Sequence, residues 1–204
     1  MKLAWHRWGE DGRPAFSWRP ASPVRVASTS VLGGGVGRRS WFLNASVPAG
    51  YAGDDPATDL LALAASVGLE GDGVGMLTAK DVRDVVLEEE DGVKVVATVG
   101  LGWPTWAAAP DEGAREVQVG TINVLAVVPA ALGDAALVNA VGTVTEAKVQ
   151  ALLEAGVDGT GTASDAACVA AVDGRATELY GGPRSRWGAP LARAVHRAVL
   201  RGAR

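Results

Sequence analysis

The sequence predicts an α/β chain of the α+β kind: a mixed, largely antiparallel β-sheet with packed helices, in a single domain. Three observations predict it. Strand patterns outnumber helical ones along the chain. Neighbouring strand patterns are joined by short turns, as at Glu90-Asp91-Gly92, which favours antiparallel pairing over a doubly wound parallel sheet. Hydrophobic residues make up 48% of the 204 positions, ample for one core.

The elements follow in order. Residues 1–23 are rich in Trp, Arg, Pro and Gly and show no sustained period. They read as a small strand pair or an N-terminal arm packed on a domain spanning 24–204, held down by Trp5, Trp8 and Trp18. Val24 to Leu32 alternates as a strand does, and Gly33-Gly34-Gly35 ends it. Ser40 to Val47 is a second strand and holds Asn44. Asp55-Pro56 is a helix start, with Asp55 as N-cap and Pro56 at the first helical position. Leu60, Leu61, Leu63, Ala64 and Val67 supply that helix with a core face, and Gly68 stops it. Gly73 to Ala79 is a short strand tipped by Thr78. Val82 to Glu89 and Val93 to Leu101 read as strands around an acidic, solvated turn.

A loop with Trp103 and Trp106 runs from there to Arg115. Two large flat side chains in one loop form either a hydrophobic plug or a platform for a flat ligand. Val117 to Val128 reads as a buried strand, broken by Pro129 and Gly133. Asp134 is expected to cap a long helix. On it Asn139, Thr143, Glu146 and Gln150 share a polar stripe, while Leu137, Val141, Val144 and Leu152 share an apolar one that also contains Lys148. Ala166 to Val172 is another buried strand. After Tyr180-Gly181-Gly182, Pro190 opens a last helix with Leu191, Ala194, Val195 and Val199 inward and a basic, solvated face at Arg193, Arg197 and Arg201.

Several classes are excluded at this level. A net charge of −4 argues against a general nucleic-acid binder. One cysteine, Cys168, allows no internal disulfide, and it lies in an apolar strand as core. The start, Met1-Lys2-Leu3-Ala4-Trp5, has no apolar signal region, and the run from Ile122 to Leu132 is too short to cross a membrane. A soluble, cytoplasmic protein is expected.

The residues able to do chemistry are few. There is no Gly-x-Ser-x-Gly elbow and no His-Glu-x-x-His. His6 and His196 lie near opposite ends, outside any polar motif. What remains is carboxylate, lysine and hydroxyl chemistry. Glu146 could activate water or be an exposed helix residue. Lys148, within an apolar stripe, either snorkels or pairs with a carboxylate, for which Asp165 is the candidate. Thr121, Thr160, Thr162 and Ser164 offer hydroxyls. Asn123, inside an apolar strand, must find partners in a neighbouring loop or in a substrate amide.

Three segments stand out together: Thr121-Ile122-Asn123, Thr145-Glu146-Ala147-Lys148, and Gly159-Thr160-Gly161-Thr162-Ala163-Ser164-Asp165-Ala166. With Gly33-Gly34-Gly35, Tyr51, Gly75-Met76-Leu77-Thr78-Ala79, Tyr180-Gly181-Gly182 and Trp187-Gly188, the ordered set resembles the adenosylcobinamide amidohydrolase (CbiZ) family, from about Val24 to Val199. The resemblance implies a hydrolase of corrinoid salvage. It would cleave the amide between the corrin ring and the aminopropanol arm of adenosylcobinamide, giving adenosylcobyric acid. Glu146, Lys148 and Asp165 are then the catalytic candidates. Gly34, Asn44, Tyr51, Thr78, Trp103, Trp106, Thr121, Asn123, Thr160 and Thr162 are the substrate-binding candidates. No cofactor and no protein metal site are expected, cobalt entering with the corrinoid. A homodimer is left open. Two other readings stay open: a corrinoid-binding protein without hydrolysis, and an amidase whose Thr nucleophile is exposed by self-cleavage.

Overall fold

The structure, a computed structural model, describes residues 1–51, 53–110 and 120–204. Two sheets stack face to face. Strands β1 (Ala4–Trp8), β2 (Arg13–Trp18), β5 (Trp41–Ser46) and β6 (Gly73–Thr78) form one, in the order β1-β2-β5-β6. Strands β3 (Val24–Ser28), β4 (Gly35–Arg39), β7 (Val86–Glu90), β8 (Val93–Val99), β9 (Ile122–Val128) and β10 (Ala166–Ala171) form the other, ordered β4-β3-β10-β9-β8-β7. All pairings are antiparallel except β5 with β6 and β9 with β10. Each parallel pair needs a crossover, and each has a helix: α1 (Pro56–Ser66) for the first, α2 (Asp134–Glu154) for the second. A third helix, α3 (Gly188–Gly202), closes the chain. The mixed, largely antiparallel α+β expectation is met.

The period of two in the strands sorts the core into layers. Trp41, Leu43 and Ala45 face Leu60, Leu63 and Ala64 of α1. The alternate residues of that sheet, Phe16, Phe42, Val74 and Met76, meet Val26, Val96, Leu125 and Cys168 between the sheets. On the far face, Val95, Ala97, Val124, Ala126 and Val169 pack under Leu137, Val144, Leu191 and Val195 of α2 and α3. The molecule is thus a four-layer stack, helix, sheet, sheet, helices.

Several expectations need correction. Residues 35–39 form strand β4, a hairpin partner of β3, where only a turn was expected. Its composition, Gly-Val-Gly-Arg-Arg, carries little β-propensity, and pairing rather than pattern makes it a strand. The strand expected from Val82 starts at Val86, because Asp81 accepts the Arg83 N–H and caps a short 3-10 turn. Gly133, not Asp134, is the N-cap of α2; Asp134 sits in its first turn and takes the Arg25 guanidinium at 2.9–3.1 Å. The last helix begins at Gly188, before Pro190. The expected strand start at residues 117–119 and the end of the tryptophan loop lie outside the described residues.

Residues 1–23 contribute a hairpin whose second strand, β2, is interior to its sheet, with Phe16 in the layer between the sheets. Trp18 stacks on Phe42 with centroids 5.1 Å apart, and Trp8 donates to the Ser46 carbonyl at 3.1 Å. Trp5 is half exposed and packs edge-on to Phe16. The expected cap of α1 is present: Asp55 accepts from Ala57 and Thr58 N–H, and Gly68 leaves the helix at φ +69°.

The two acidic and basic surfaces expected to face solvent separately meet instead. Arg193 and Arg197 of α3 both bond Glu90, and Arg201 reaches Glu88 at 2.5 Å. This ladder binds α3 to the edge strand β7. Periodicity cannot show it, because the partners are about a hundred residues apart.

Candidate active site

The loop after α2 and the starts of β9 and β10 assemble a polar cluster on the helix side of the six-stranded sheet. Lys148 projects from the apolar stripe of α2, between Val144 and Leu152, and pairs with Asp165 at the entrance of β10. The two side chains are only 13% and 14% exposed. Asp165 also accepts the Ile122 N–H at 2.9 Å, the Thr162 N–H at 3.1 Å and the Thr162 hydroxyl at 2.6 Å. With the lysine, three donors and, when it turns to Asp165, the Thr162 hydroxyl surround one carboxylate. Gly161 permits this: a Cβ there would collide with both Lys148 Nζ and Asp165 Oδ2.

The hydroxyls of the loop are organised around the Gly120 carbonyl. Thr162 Oγ1 lies 2.7 Å from it and Ser164 Oγ 3.1 Å. Thr162 has one hydroxyl hydrogen, so it serves Gly120 or Asp165 at any moment. Thr121, nearly buried, exchanges a hydrogen bond with Ser164 at 2.8 Å, and Ser164 itself is exposed. Thr121, Thr162, Lys148 and Asp165, four residues expected at the site, are therefore linked through this one loop.

The tryptophan loop docks on the same segment. Thr105 N–H donates to the Gly161 carbonyl and Thr160 N–H to the Thr105 carbonyl, both at 2.8 Å. Thr160 Oγ1 accepts from Ala107 N–H at 3.0 Å. Trp106 donates to Asp158 at 2.8 Å through its ring edge. Trp103 and Trp106 remain 38% and 46% exposed. Trp106 is thereby held beside the loop that leads to Asp165, and both tryptophans keep surface open to solvent.

Beside the pair lies a pocket of about 240 Å³ between α2 and the sheet. Ile122, Val124 and Val144 give it apolar walls, Thr29 and Thr145 hydroxyls, and Lys148 with Asp165 a charged end. Thr29 is missing from the sequence-based candidates; it follows β3, remote in the chain, and no local pattern marks it.

Other expected site residues fall elsewhere. Glu146 is exposed, about 200° round α2 from Lys148, and the two do not meet. Asn44 and Asn123 lie between the sheets, on the opposite face of β9. Asn123 donates to Asn44 Oδ1 at 3.0 Å and to the Leu77 carbonyl at 2.9 Å, and Asn44 donates to Thr98 at 3.0 Å. All three side chains are at most 5% exposed. This network clasps the two sheets. Thr98 was missed although it carries the same signal as Asn123, a polar residue in an apolar strand. Thr78 is buried and accepts the Lys80 N–H at 3.1 Å. Gly34 lies in the β3–β4 turn, where a Cβ would strike the Ser30 carbonyl. Tyr51 donates to Asp59 at 2.5 Å; burial, with Asp59 beside it, pushes the phenol up to about 12. Gly34, Tyr51 and Thr78 do not line the pocket.

Cys168 is fully buried, and that burial pushes its thiol up to about 12, which disfavours a thiolate nucleophile. The polar stripe of α2 has a packing role in part. Asn139 accepts the Gly181 N–H at 3.2 Å and Thr143 donates to the Gly181 carbonyl at 2.9 Å. Gly181 and Gly188 lie so close to backbone that any side chain would clash. Among the described residues no helix is long and apolar enough to cross a membrane.

Comparison with known proteins places the chain in a family. A family model described as adenosylcobinamide amidohydrolase matches residues 6–204. The chain is similar to a protein of Methanosarcina mazei named adenosylcobinamide amidohydrolase, 32% identical over 144 residues, covering 71% of this chain and 68% of that one. It is also similar to a protein of the same name from Halobacterium salinarum, 35% identical over 187 residues, covering 88% of this chain and 80% of that one.

Proposed function

We propose that this chain, which belongs to the adenosylcobinamide amidohydrolase family, hydrolyses the amide joining the corrin ring to the aminopropanol arm of adenosylcobinamide. The products are adenosylcobyric acid and aminopropanol. Both named relatives are hydrolases, which favours catalysis over a binding-only role.

The observation that carries the mechanism is an ammonium group shielded from water at the end of a pocket: Lys148, held by Asp165. Amide hydrolysis stalls at expulsion of the amine unless its nitrogen gains a proton. Lys148 gives that proton as the carbon–nitrogen bond breaks. A water molecule first adds to the amide carbonyl carbon, one of its protons passing to the carbonyl oxygen; once the amine has left, the proton of the new carboxylic acid restores the lysine. The exposed Ser164 hydroxyl, backed by Thr121, orients that water. Asp165 is a positioning residue: its oxygens are held by the Ile122 and Thr162 N–H groups as well as by the lysine, so it fixes the direction of the ammonium.

Trp103 and Trp106 offer their open faces to the corrin ring. Cobalt enters only with the substrate. The Lys148 ammonium already neutralises Asp165, and its charge opposes a second cation there.

The test is direct. Purified protein incubated with adenosylcobinamide, without added metal, is expected to yield adenosylcobyric acid and free aminopropanol by mass spectrometry. Absence of both products across buffers and added divalent ions overturns the reading.

A further inference from the structure

Building on that hydrolase reading, we propose that the pocket between α2, β9 and β10 receives the aminopropanol arm and selects the leaving amine. Size decides which part of the substrate can enter. A cavity of about 240 Å³ holds on the order of ten heavy atoms and excludes a corrin macrocycle, so only a side arm fits. The ring stays outside, where the tryptophan loop is bonded to Gly161, the residue packed against the Lys148–Asp165 pair.

The lining matches the arm group by group. The arm carries one methyl and one hydroxyl on a two-carbon amine. Ile122, Val124 and Val144 are apolar partners for the methyl. Thr145 spends its hydrogen on the Val141 carbonyl at 3.1 Å, which leaves its oxygen as an acceptor. Thr29 accepts the Ala167 N–H at 3.0 Å, and its own hydrogen has no acceptor among the described residues. One threonine thus offers an acceptor and the other a donor, the two halves of what a bound hydroxyl requires. Lys148 at the charged end then stands next to the arm nitrogen, the atom that must be protonated.

The experiment compares arms. Wild-type protein is given adenosylcobinamide and its analogue with an ethanolamine arm, which lacks only the methyl. The analogue is expected to lose about five- to tenfold in kcat/KM. Thr145→Phe, a change at an exposed helix position, narrows the mouth and is expected to raise KM at least about tenfold with the circular dichroism spectrum unchanged. Independently of turnover, 1-amino-2-propanol alone is titrated into labelled protein, where the amide signals of Thr29, Val144 and Lys148 should shift. Equal kcat/KM for both arms, with normal kinetics in Thr145→Phe, overturns the pocket assignment and leaves the hydrolase reading standing. Shifts at those three residues in a protein that hydrolyses neither substrate support the pocket and overturn the hydrolase reading.

Discussion

Two groups of opposite charges hold α-helices to the six-stranded sheet, and they differ in how far their cations are shielded from water. The ladder of Arg193, Arg197 and Arg201 with Glu88 and Glu90 clamps α3 to β7 at the surface, with its arginines 52%, 41% and 64% exposed. The Lys148–Asp165 pair sits under α2 with both partners below 15% exposed. Surface pairs bring little net stabilisation, because water solvates the separated ions almost as well. A shielded pair costs desolvation on both sides, and even when fully hydrogen bonded it is no more stable than a well-packed apolar substitute. The molecule retains the costly arrangement at one place only among its described ion pairs, where a pocket opens beside it. On the proposed mechanism, that is where stability is exchanged for chemistry.

The sharpest way to break the comparison is Lys148→Met. The stem and its packing remain and the charge goes. The fold should persist by circular dichroism, and turnover of adenosylcobinamide should fall at least about a hundredfold, the scale of one acid–base group. Normal turnover would place Lys148 with the ladder, as a mere clamp.

Asp165→Asn attacks the same pair from the other side and separates positioning from packing. It leaves a shielded ammonium without its counter-charge, at about 2–3 kcal/mol of stability in urea unfolding. Turnover should also drop. The double change Lys148→Met with Asp165→Asn should recover much of the stability and none of the activity. A double variant as unstable as Asp165→Asn alone would show that Asp165 acts mainly through Thr162 and Ile122.

The smallest effect belongs to the ladder. Glu90→Gln should cost about 1 kcal/mol or less and leave turnover unchanged. The Arg197 and Arg193 hydrogen bonds hold Glu90 below the usual carboxylate range. Burial alone would raise Glu88, but Arg201 and Arg197 outweigh it and its value is lowered too. Folded values below the unfolded ones mean stability that is present above the ordinary glutamate pKa of about 4.3 and is lost as pH falls through the folded values. Wild type and Glu90→Gln should therefore differ at neutral pH and converge in urea titrations below about pH 3. A difference that persists there would assign Glu90 a packing role.

The same contrast explains what was legible in the sequence. A lysine inside an apolar stripe is a local anomaly, and Asp165 lies 17 residues on, so the pair could be anticipated from a single helix pattern. The ladder could not, because acidic and basic runs look solvated until α3 is laid on β7. Asn123 announced a need for partners, and the period of two would have placed it between the sheets, on the opposite face from Lys148, had the strand been assigned its faces. Strand β4 was invisible because glycine and arginine carry no β signal. Thr29 reaches the pocket through the pairing of β3 with β10, a fact of register that composition does not contain.

The crossover helices have a consequence for inheritance. The stack contains two strand–helix–strand units, β5–α1–β6 and β9–α2–β10, one in each sheet. Apart from Thr29, every residue lining the pocket falls between Ile122 and Ala167, within the second unit. One short stretch of coding sequence therefore carries nearly all of the pocket lining as a block, and a recombination outside it leaves that lining whole. The unit bearing α1 contributes no residue to that lining.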